Sequence, residues 1–140
     1  MDRRRPRHPP ARPLVLIVEA HEGTRAPYAL ALSATGFEVV AVADGAEAYR
    51  HAWEIHPDII ATDLPILNCD GWQFLQDLRR NARTRDIPVV AVSGYVQRSV
   101  RERAVRDRFA ACFPKPCLPD ELAAGLCQVL DGKADAHVER

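Results

Sequence analysis

Length, composition and charge limit what this chain can be. Its 140 residues carry no formal net charge and are 47% hydrophobic, which fits one domain large enough to bury a real core. No apolar run approaches the roughly 20 residues that span a bilayer, so we expect a soluble protein without membrane contact. Residues 1–13 hold five Arg against one Asp. The rest of the chain is therefore net acidic, which disfavours nucleic acid as a partner.

The two ends of the chain differ in composition from its centre. Residues 1–12 are basic, rich in Pro and lack the apolar core of a signal peptide. We predict a disordered basic tail there, and a weak anchor for nucleic acid or anionic lipid is the alternative. The folded domain is predicted over residues 13–131, with a second tail at 132–140. We expect no further folded domain beyond these two tails.

The four cysteines show neither a disulfide framework nor a zinc pattern. None of them forms a CxxC pair, and they stand at Cys69, Cys112, Cys117 and Cys127. The chain also lacks a secretory signal. We therefore expect reduced thiols in a cytoplasmic protein, and no zinc site.

Apolar runs and helical patterns alternate along the chain. Continuous apolar segments such as LVLIV at 14–18 and IPVVAV at 87–92 are typical of strands buried on both faces. Asp44 and Asp70 are followed three residues later by Glu47 and Gln73, the spacing of helix N-caps. Strands are predicted at 14–18, 37–42, 59–62, 87–92 and 110–113. Helices are predicted at 24–34, from the Asp44 cap to Pro57, from the Asp70 cap to Arg80, at 96–108 and from Pro119 onward, with Trp53 and Trp72 in the core.

This alternation predicts an α/β fold with a parallel sheet, right-handed crossovers and helices on both faces. In such sheets ligands bind outside the carboxyl ends of the strands. The predicted loops at that edge hold the segment Glu19-Ala20-His21-Glu22, then Asp63, Ser93-Gly94 and Lys115-Pro116. We therefore expect a carboxylate, a hydroxyl and an ammonium group from distant segments to meet in one place.

These residues resemble those of the receiver domains of two-component response regulators, and the resemblance covers about residues 13–131. Asp63, in DLPILNCDG, matches the aspartate that accepts a phosphoryl group from a histidine kinase. Ser93 matches the Ser or Thr after the fourth strand, and Lys115 matches the lysine of the Lys-Pro pair after the fifth. The resemblance implies a flavodoxin-like, doubly wound sheet of five strands in the order 2-1-3-4-5, with five helices.

The resemblance also implies a Mg²⁺ ion held by Glu19, Asp63 and the backbone carbonyl of Pro65. Receivers usually carry two acidic residues after the first strand, but here Ala20 stands in the second position. Since Mg²⁺ demands near-octahedral oxygen ligands, we expect the loss of this ligand to weaken metal binding. His21 or Glu22 could compensate, although a solvated loop is the simpler interpretation of both.

Other positions depart from the family pattern as well. Receivers usually have a proline four residues after the phosphoacceptor. In this chain that position is Leu67, and a proline stands two residues earlier, at Pro65. Receivers often have an aromatic residue on the fifth strand that takes part in the conformational switch, and here that residue is Cys112. After the Lys-Pro pair, where the family commonly has Phe or Tyr, this chain has Cys117. Arg108-Phe109 replaces the usual Gly-Ala. We expect the fold to tolerate these changes and the conformational switch to be affected.

The resemblance favours a stand-alone response regulator, phosphorylated on Asp63 by a histidine kinase or phosphotransfer protein. Its enzymatic activity would be limited to self-catalysed phosphoryl transfer and dephosphorylation. A downstream protein would dock on the 96–130 face, where a positive surface suits an acidic partner. Formation of a homodimer is an alternative that the sequence leaves open. The arginines of that surface are Arg98, Arg101, Arg103, Arg106 and Arg108.

Two alternative functions are open from the sequence. A pseudo-receiver would be a phosphorylation-independent interaction module, because its impaired acidic pair would no longer support phosphotransfer. A metal-dependent phosphatase would need a second catalytic aspartate two residues beyond Asp63. That position is Pro65, which disfavours the phosphatase.

Overall fold

A parallel sheet of five strands forms the centre of the computed structural model, which describes residues 12–66, 69–94 and 98–132. The strands are β1 (Leu14–Val18), β2 (Glu38–Val42), β3 (Ile59–Thr62), β4 (Val89–Ser93) and β5 (Ala111–Pro114). Their order across the sheet is β2-β1-β3-β4-β5, and every neighbouring pair is parallel. The predicted fold class and strand order 2-1-3-4-5 are therefore confirmed.

The helices of the described residues cover both faces of the sheet. They are α1 (Glu22–Ala34), α2 (Gly45–Ile55), α3 (Gly71–Arg80), α4 (Arg98–Arg106) and α5 (Pro119–Leu130). One core lies between the sheet and helices α1 and α5, with Leu32 and Leu126 at its centre. The other lies against α2, α3 and α4, where Phe74 and Leu75 are buried. Within the described part of the chain, no helix is both long and apolar enough to cross a membrane.

The unbroken apolar run of β1 follows from this two-sided packing. Successive side chains of a strand point to opposite faces, so Val15 and Ile17 enter the α1/α5 core. Leu16 and Val18 enter the core on the other face. Each of these four side chains is almost completely buried, which explains why the strand has no polar position.

The predicted N-caps are present in the structure. Asp44 Oδ1 accepts hydrogen bonds from the N–H groups of Ala46 (2.7 Å) and Glu47 (3.2 Å) at the start of α2. Asp70 Oδ1 accepts one from the Gln73 N–H (2.8 Å) at the start of α3. These bonds satisfy donors that the first helical turn leaves without a partner, so both helices begin where the sequence predicts.

The predictions for the two tryptophans were only partly right. Trp53 was expected in the core, but it is 42% exposed, with the guanidinium of Arg83 lying 4.1 Å from its ring centroid. Helix α2 faces the sheet through Ala48 and Ala52, and the next residue along the helix points about 100° away from that face. Trp72 is half-buried and packs edge-on against Phe109, with ring centroids 5.4 Å apart.

Helix α4 ends earlier than the predicted 96–108 because the chain turns at Arg108. This residue has φ = 71°, and its N–H donates to Val105 O (3.1 Å) while the Phe109 N–H donates to Ala104 O (3.0 Å). The pattern is a Schellman motif, in which glycine is the usual left-handed residue. The Arg108-Phe109 pair thus places a side chain in a conformation that costs about 1–2 kcal/mol, while Phe109 is buried in the core.

We predict that Arg108→Gly raises the free energy of unfolding by about 0.5–1 kcal/mol, because relief of the left-handed strain exceeds the added entropy of the unfolded glycine. Arg101→Gly, an identical exchange in the regular part of α4, should lower it by about 1 kcal/mol. Urea denaturation of both variants measures the difference. Equal destabilisation by both would show that residue 108 carries no backbone strain.

Candidate functional site

The carboxyl ends of the strands bring the predicted site residues to one edge of the sheet. Glu19 follows β1, and its N–H donates to Val42 O (2.9 Å). Asp63 follows β3, and its N–H donates to Val18 O (3.0 Å). Ser93 is the last residue of β4, and its carbonyl accepts a hydrogen bond from the N–H of Lys115 (2.8 Å). Backbone hydrogen bonds therefore fix the positions from which all these side chains project.

Lys115 bridges the two carboxylates. Its Nζ lies 2.7 Å from Glu19 Oε1 and 2.7 Å from Asp63 Oδ2. Glu19 is 5% exposed and Asp63 is 8% exposed, while the lysine side chain is 22% exposed. The structure thus joins three of the predicted residues, and Ser93 is buried beside them at the end of the adjacent strand.

The remaining carboxylate oxygens bind backbone groups. Asp63 Oδ1 accepts a hydrogen bond from the N–H of Leu64 (2.7 Å), and Glu19 Oε2 accepts one from the N–H of His21 (3.0 Å). All four oxygens of the pair therefore have a donor. Each carboxylate is also oriented by its own loop, since both backbone donors lie one or two residues further along the chain.

Burial and charge act against each other in this group. Burial raises the pKa of Asp63, and the nearby charge of Glu19 acts in the same direction, while Lys115 opposes the rise. Burial alone would lower the pKa of Lys115, but its hydrogen bonds to Asp63 and Glu19 outweigh that effect and raise it. The lysine is therefore firmly protonated, and a single ammonium serves two acidic groups.

The segment directly after Asp63 lies against the start of α3. Residues Pro65–Ile66 and Cys69–Asp70 form a short antiparallel ribbon, where the sequence predicted only a loop. At Gly71 a Cβ atom would lie 2.6 Å from the carbonyl oxygen of Asp63, so α3 can begin against this loop only because the residue has no side chain. The predicted metal-binding carbonyl of Pro65 lies in the ribbon, and Leu67 falls outside the described residues.

Two residues that the sequence did not single out support the site. Arg25 Nη1 donates to the carbonyl oxygens of Glu19 (2.9 Å) and Ala20 (3.3 Å), which holds the loop after β1. The Tyr28 hydroxyl donates to Cys117 O (2.7 Å) and so ties α1 to the segment after Lys115. Burial is the main cause that raises the pKa of Tyr28 to about 12. Both residues lie on α1, and their roles depend on long-range contacts that spacing does not reveal.

The loop and cysteine predictions fit ordinary structural roles. His21 and Glu22 are exposed at the start of α1, and His21 reaches Glu19 through its backbone N–H. Cys112 and Cys117 are buried, and burial raises the pKa of both thiols, that of Cys117 to about 11. Neither thiol is therefore an activated thiolate.

The donor set does not fit a bound Mg²⁺ ion as it stands. Among the described residues, no group of three His, Cys, Asp or Glu side chains could hold a metal ion. Ala20 contributes no ligand, and each oxygen of Glu19 and Asp63 already accepts a hydrogen bond. Mg²⁺ requires about six oxygen ligands in near-octahedral geometry, and two carboxylates that already share one ammonium group supply only a few of them.

The sheet order and the acidic site at its edge define a flavodoxin-like α/β domain. The family model for the response regulator receiver domain matches residues 15–126, and the chain belongs to that family. It is 30% identical over 102 residues to the polar-differentiation response regulator DivK of Brucella ovis, covering 73% of this chain and 83% of DivK. The transcriptional regulatory protein PhoB of Klebsiella pneumoniae is 32% identical over 116 residues, 83% of this chain. The chain spans about half the length of that relative, 51%.

Solved structures agree with the fold. Chemotaxis response regulator CheY4 of Vibrio cholerae superposes with a TM-score of 0.79 at 23% identity, covering 84% of this chain and 98% of that one. The receiver domain of the sensor histidine kinase PA1611 of Pseudomonas aeruginosa gives 0.77 at 25% identity, covering 87% and 99%. In that protein a magnesium ion is coordinated in the active-site cleft.

The shared ammonium leads to opposite effects for two substitutions. Lys115→Met should lower the free energy of unfolding by about 3 kcal/mol, because it leaves two buried carboxylates without a counter-ion. Asp63→Asn should be neutral or stabilising at pH 7, because one carboxylate then pairs with one ammonium. Chemical denaturation of both variants and the wild type measures these differences.

The effect of Asp63→Asn should also depend on pH. A carboxyl group whose pKa is raised in the folded state favours folding below its unfolded pKa of about 3.9, and this contribution is lost as the pH rises through the folded pKa. The stability advantage of Asp63→Asn should therefore be absent near pH 4 and grow toward pH 7. An advantage that shrinks over this range would contradict the raised pKa.

Proposed function

We propose that this receiver accepts a phosphoryl group on Asp63 from a phosphohistidine of a histidine kinase or phosphotransfer protein. The contact of 2.7 Å between Lys115 Nζ and Asp63 Oδ2 supports this function most strongly, because a lysine at that distance can follow the negative charge onto a phosphoryl group. The similarity to DivK, which the chain covers over 83% of its length, supports a response regulator of this size. A cytoplasmic location fits such a partner.

The transfer would proceed in line. An oxygen of the Asp63 carboxylate attacks phosphorus, the new O–P bond forms as the P–N bond to the donor imidazole breaks, and the ring nitrogen keeps the electron pair. Charge on the equatorial phosphoryl oxygens needs nearby donors. Lys115 supplies a positive charge, the Leu64 N–H lies at the same carboxylate, and the Ser93 hydroxyl belongs to the neighbouring strand end.

Lys115 and Ser93 are suited to transmit the effect of phosphorylation from Asp63 to the adjacent loops. The Lys115 N–H donates to the Ser93 carbonyl, so movement of the lysine toward a phosphoryl group and movement of the β4 end are coupled. A phosphoryl group adds negative charge and strong acceptors, which would draw both side chains and reorder the adjacent loops. This is the proposed origin of the signal.

The family implies Mg²⁺ for this reaction, and a weak site formed by Glu19, Asp63 and the Pro65 carbonyl is the corresponding proposal for this chain. A divalent ion would neutralise the phosphoryl oxygens when bound. The donor set of the site does not favour its binding at rest, and the transfer proposed above uses only groups of the chain itself.

The proposed docking surface for a downstream protein is the outer face of α4 and the start of α5. Val105 and Leu118 are exposed there, and Arg106 and Arg108 are exposed beside Val105. Arg103 is already engaged, since it lies over the Trp72 ring. An acidic partner surface with an apolar centre would complement these side chains, and a second copy of the chain is the alternative occupant.

A pseudo-receiver is the second candidate function. It is favoured by Ala20 and by the complete pairing of the Glu19 and Asp63 oxygens, which stabilise an unphosphorylated state. In this case partner binding would not depend on Asp63.

Incubation with a small acyl-phosphate donor separates the two functions. With and without Mg²⁺, intact-mass measurement should detect a gain of one phosphoryl group that is absent in Asp63→Asn. Asp44→Asn is the matched control, because it changes another carboxylate at the same edge of the sheet and retains a good N-cap; it should be labelled like the wild type. No gain either with or without Mg²⁺, together with unchanged partner binding by Asp63→Asn, would favour the pseudo-receiver.

A further inference from the structure

Each carboxylate oxygen of Glu19 and Asp63 has a donor from the chain itself. Lys115 Nζ binds one oxygen of Glu19 and one of Asp63 at the same distance, 2.7 Å. The N–H groups of His21 and Leu64 bind the other two. A buried carboxylate oxygen without a donor would indicate a missing cation. Neither Glu19 nor Asp63 has such an oxygen.

A divalent ion would have to share these oxygens with the lysine. Mg²⁺ binds oxygen at about 2.0–2.1 Å, so an ion on either lysine-bound oxygen would lie within about 5 Å of Nζ. Two cations at that separation repel each other strongly in a buried site. Ala20 provides no further negative charge to offset the repulsion.

The lysine also has an advantage over a free ion. Lys115 is anchored directly after β5, and its N–H is bound to the Ser93 carbonyl. Its ammonium group therefore reaches the carboxylates without the loss of translational freedom that binding of an ion from solution requires. In a receiver with a third carboxylate the balance of charge would favour the divalent ion more than it does here.

We infer that Lys115 is the resident counter-ion of Glu19 and Asp63 and competes directly with divalent metal, so that the resting domain takes up no Mg²⁺ at millimolar concentration. The ammonium takes the place of the metal ion, and without a carboxylate at position 20 the negative charge of the site is too small for a divalent ion to displace it. The inference concerns the resting site and holds whether or not Asp63 is phosphorylated. Its failure is therefore separable from that of the proposed phosphotransfer, which has its own readout in the labelling experiment.

Thermal unfolding with increasing MgCl₂ tests the competition between Lys115 and Mg²⁺, because an ion that binds only the folded state raises the midpoint temperature of unfolding. The wild type should show no midpoint shift, while Lys115→Met should be stabilised progressively. Arg50→Met is the matched control, since it removes a cation from an exposed ion pair with Glu54; it should not respond to the metal. Electron paramagnetic resonance of added Mn²⁺, which prefers similar oxygen ligands, measures binding directly.

Two results would overturn the inference. One is a wild-type midpoint shift, or wild-type Mn²⁺ binding, as large as that of Lys115→Met. The other is a response of Ala20→Asp to Mg²⁺ while Lys115→Met shows none, because the missing ligand would then be the obstacle. If Lys115→Met is unfolded in metal-free buffer, recovery of its circular dichroism spectrum on addition of Mg²⁺ supports the inference, and no recovery contradicts it.

Discussion

The site depends on one ammonium group shared by two buried carboxylates. Charges removed from water are strongly destabilising unless they are paired and hydrogen-bonded, and Lys115 provides that pairing for Glu19 and Asp63 together. These residues follow three different strands, so their contact exists only when the sheet is assembled in its correct register. The ion pairs of the site therefore form only in the folded domain, and they contribute to its stability.

The replacement at position 20 changes the character of this group. With a second acidic residue in the loop, one lysine would face three negative charges, and a divalent ion would be the natural complement. With Ala20, the charge imbalance falls to a single negative charge, and backbone N–H groups of the two loops satisfy the remaining oxygens. The charges of Glu19 and Asp63 are therefore balanced in part by the chain itself, through Lys115.

Much of this arrangement could be predicted from the sequence. Apolar runs located the strands, the Asp44 and Asp70 caps located two helices, and the ends of parallel strands placed Asp63 and Lys115 at one edge. Other features depend on three-dimensional contacts that no local pattern contains. The exposure of Trp53 depends on which face of α2 meets the sheet. The ribbon depends on the pairing of Pro65–Ile66 with Cys69–Asp70, and the contacts of Arg25 and Tyr28 depend on the packing of α1.

The position of Trp72 has a practical consequence for studying this domain. It follows Gly71, whose N–H donates to the carbonyl of Leu64, and its indole contacts both Phe109 and the guanidinium of Arg103 on α4. We therefore expect the emission of this indole to change when α3 is displaced against α4. The chain has one other tryptophan, Trp53, near the end of α2 and away from the site. The domain thus carries a built-in optical probe, and replacing Trp53 by Phe would isolate its signal.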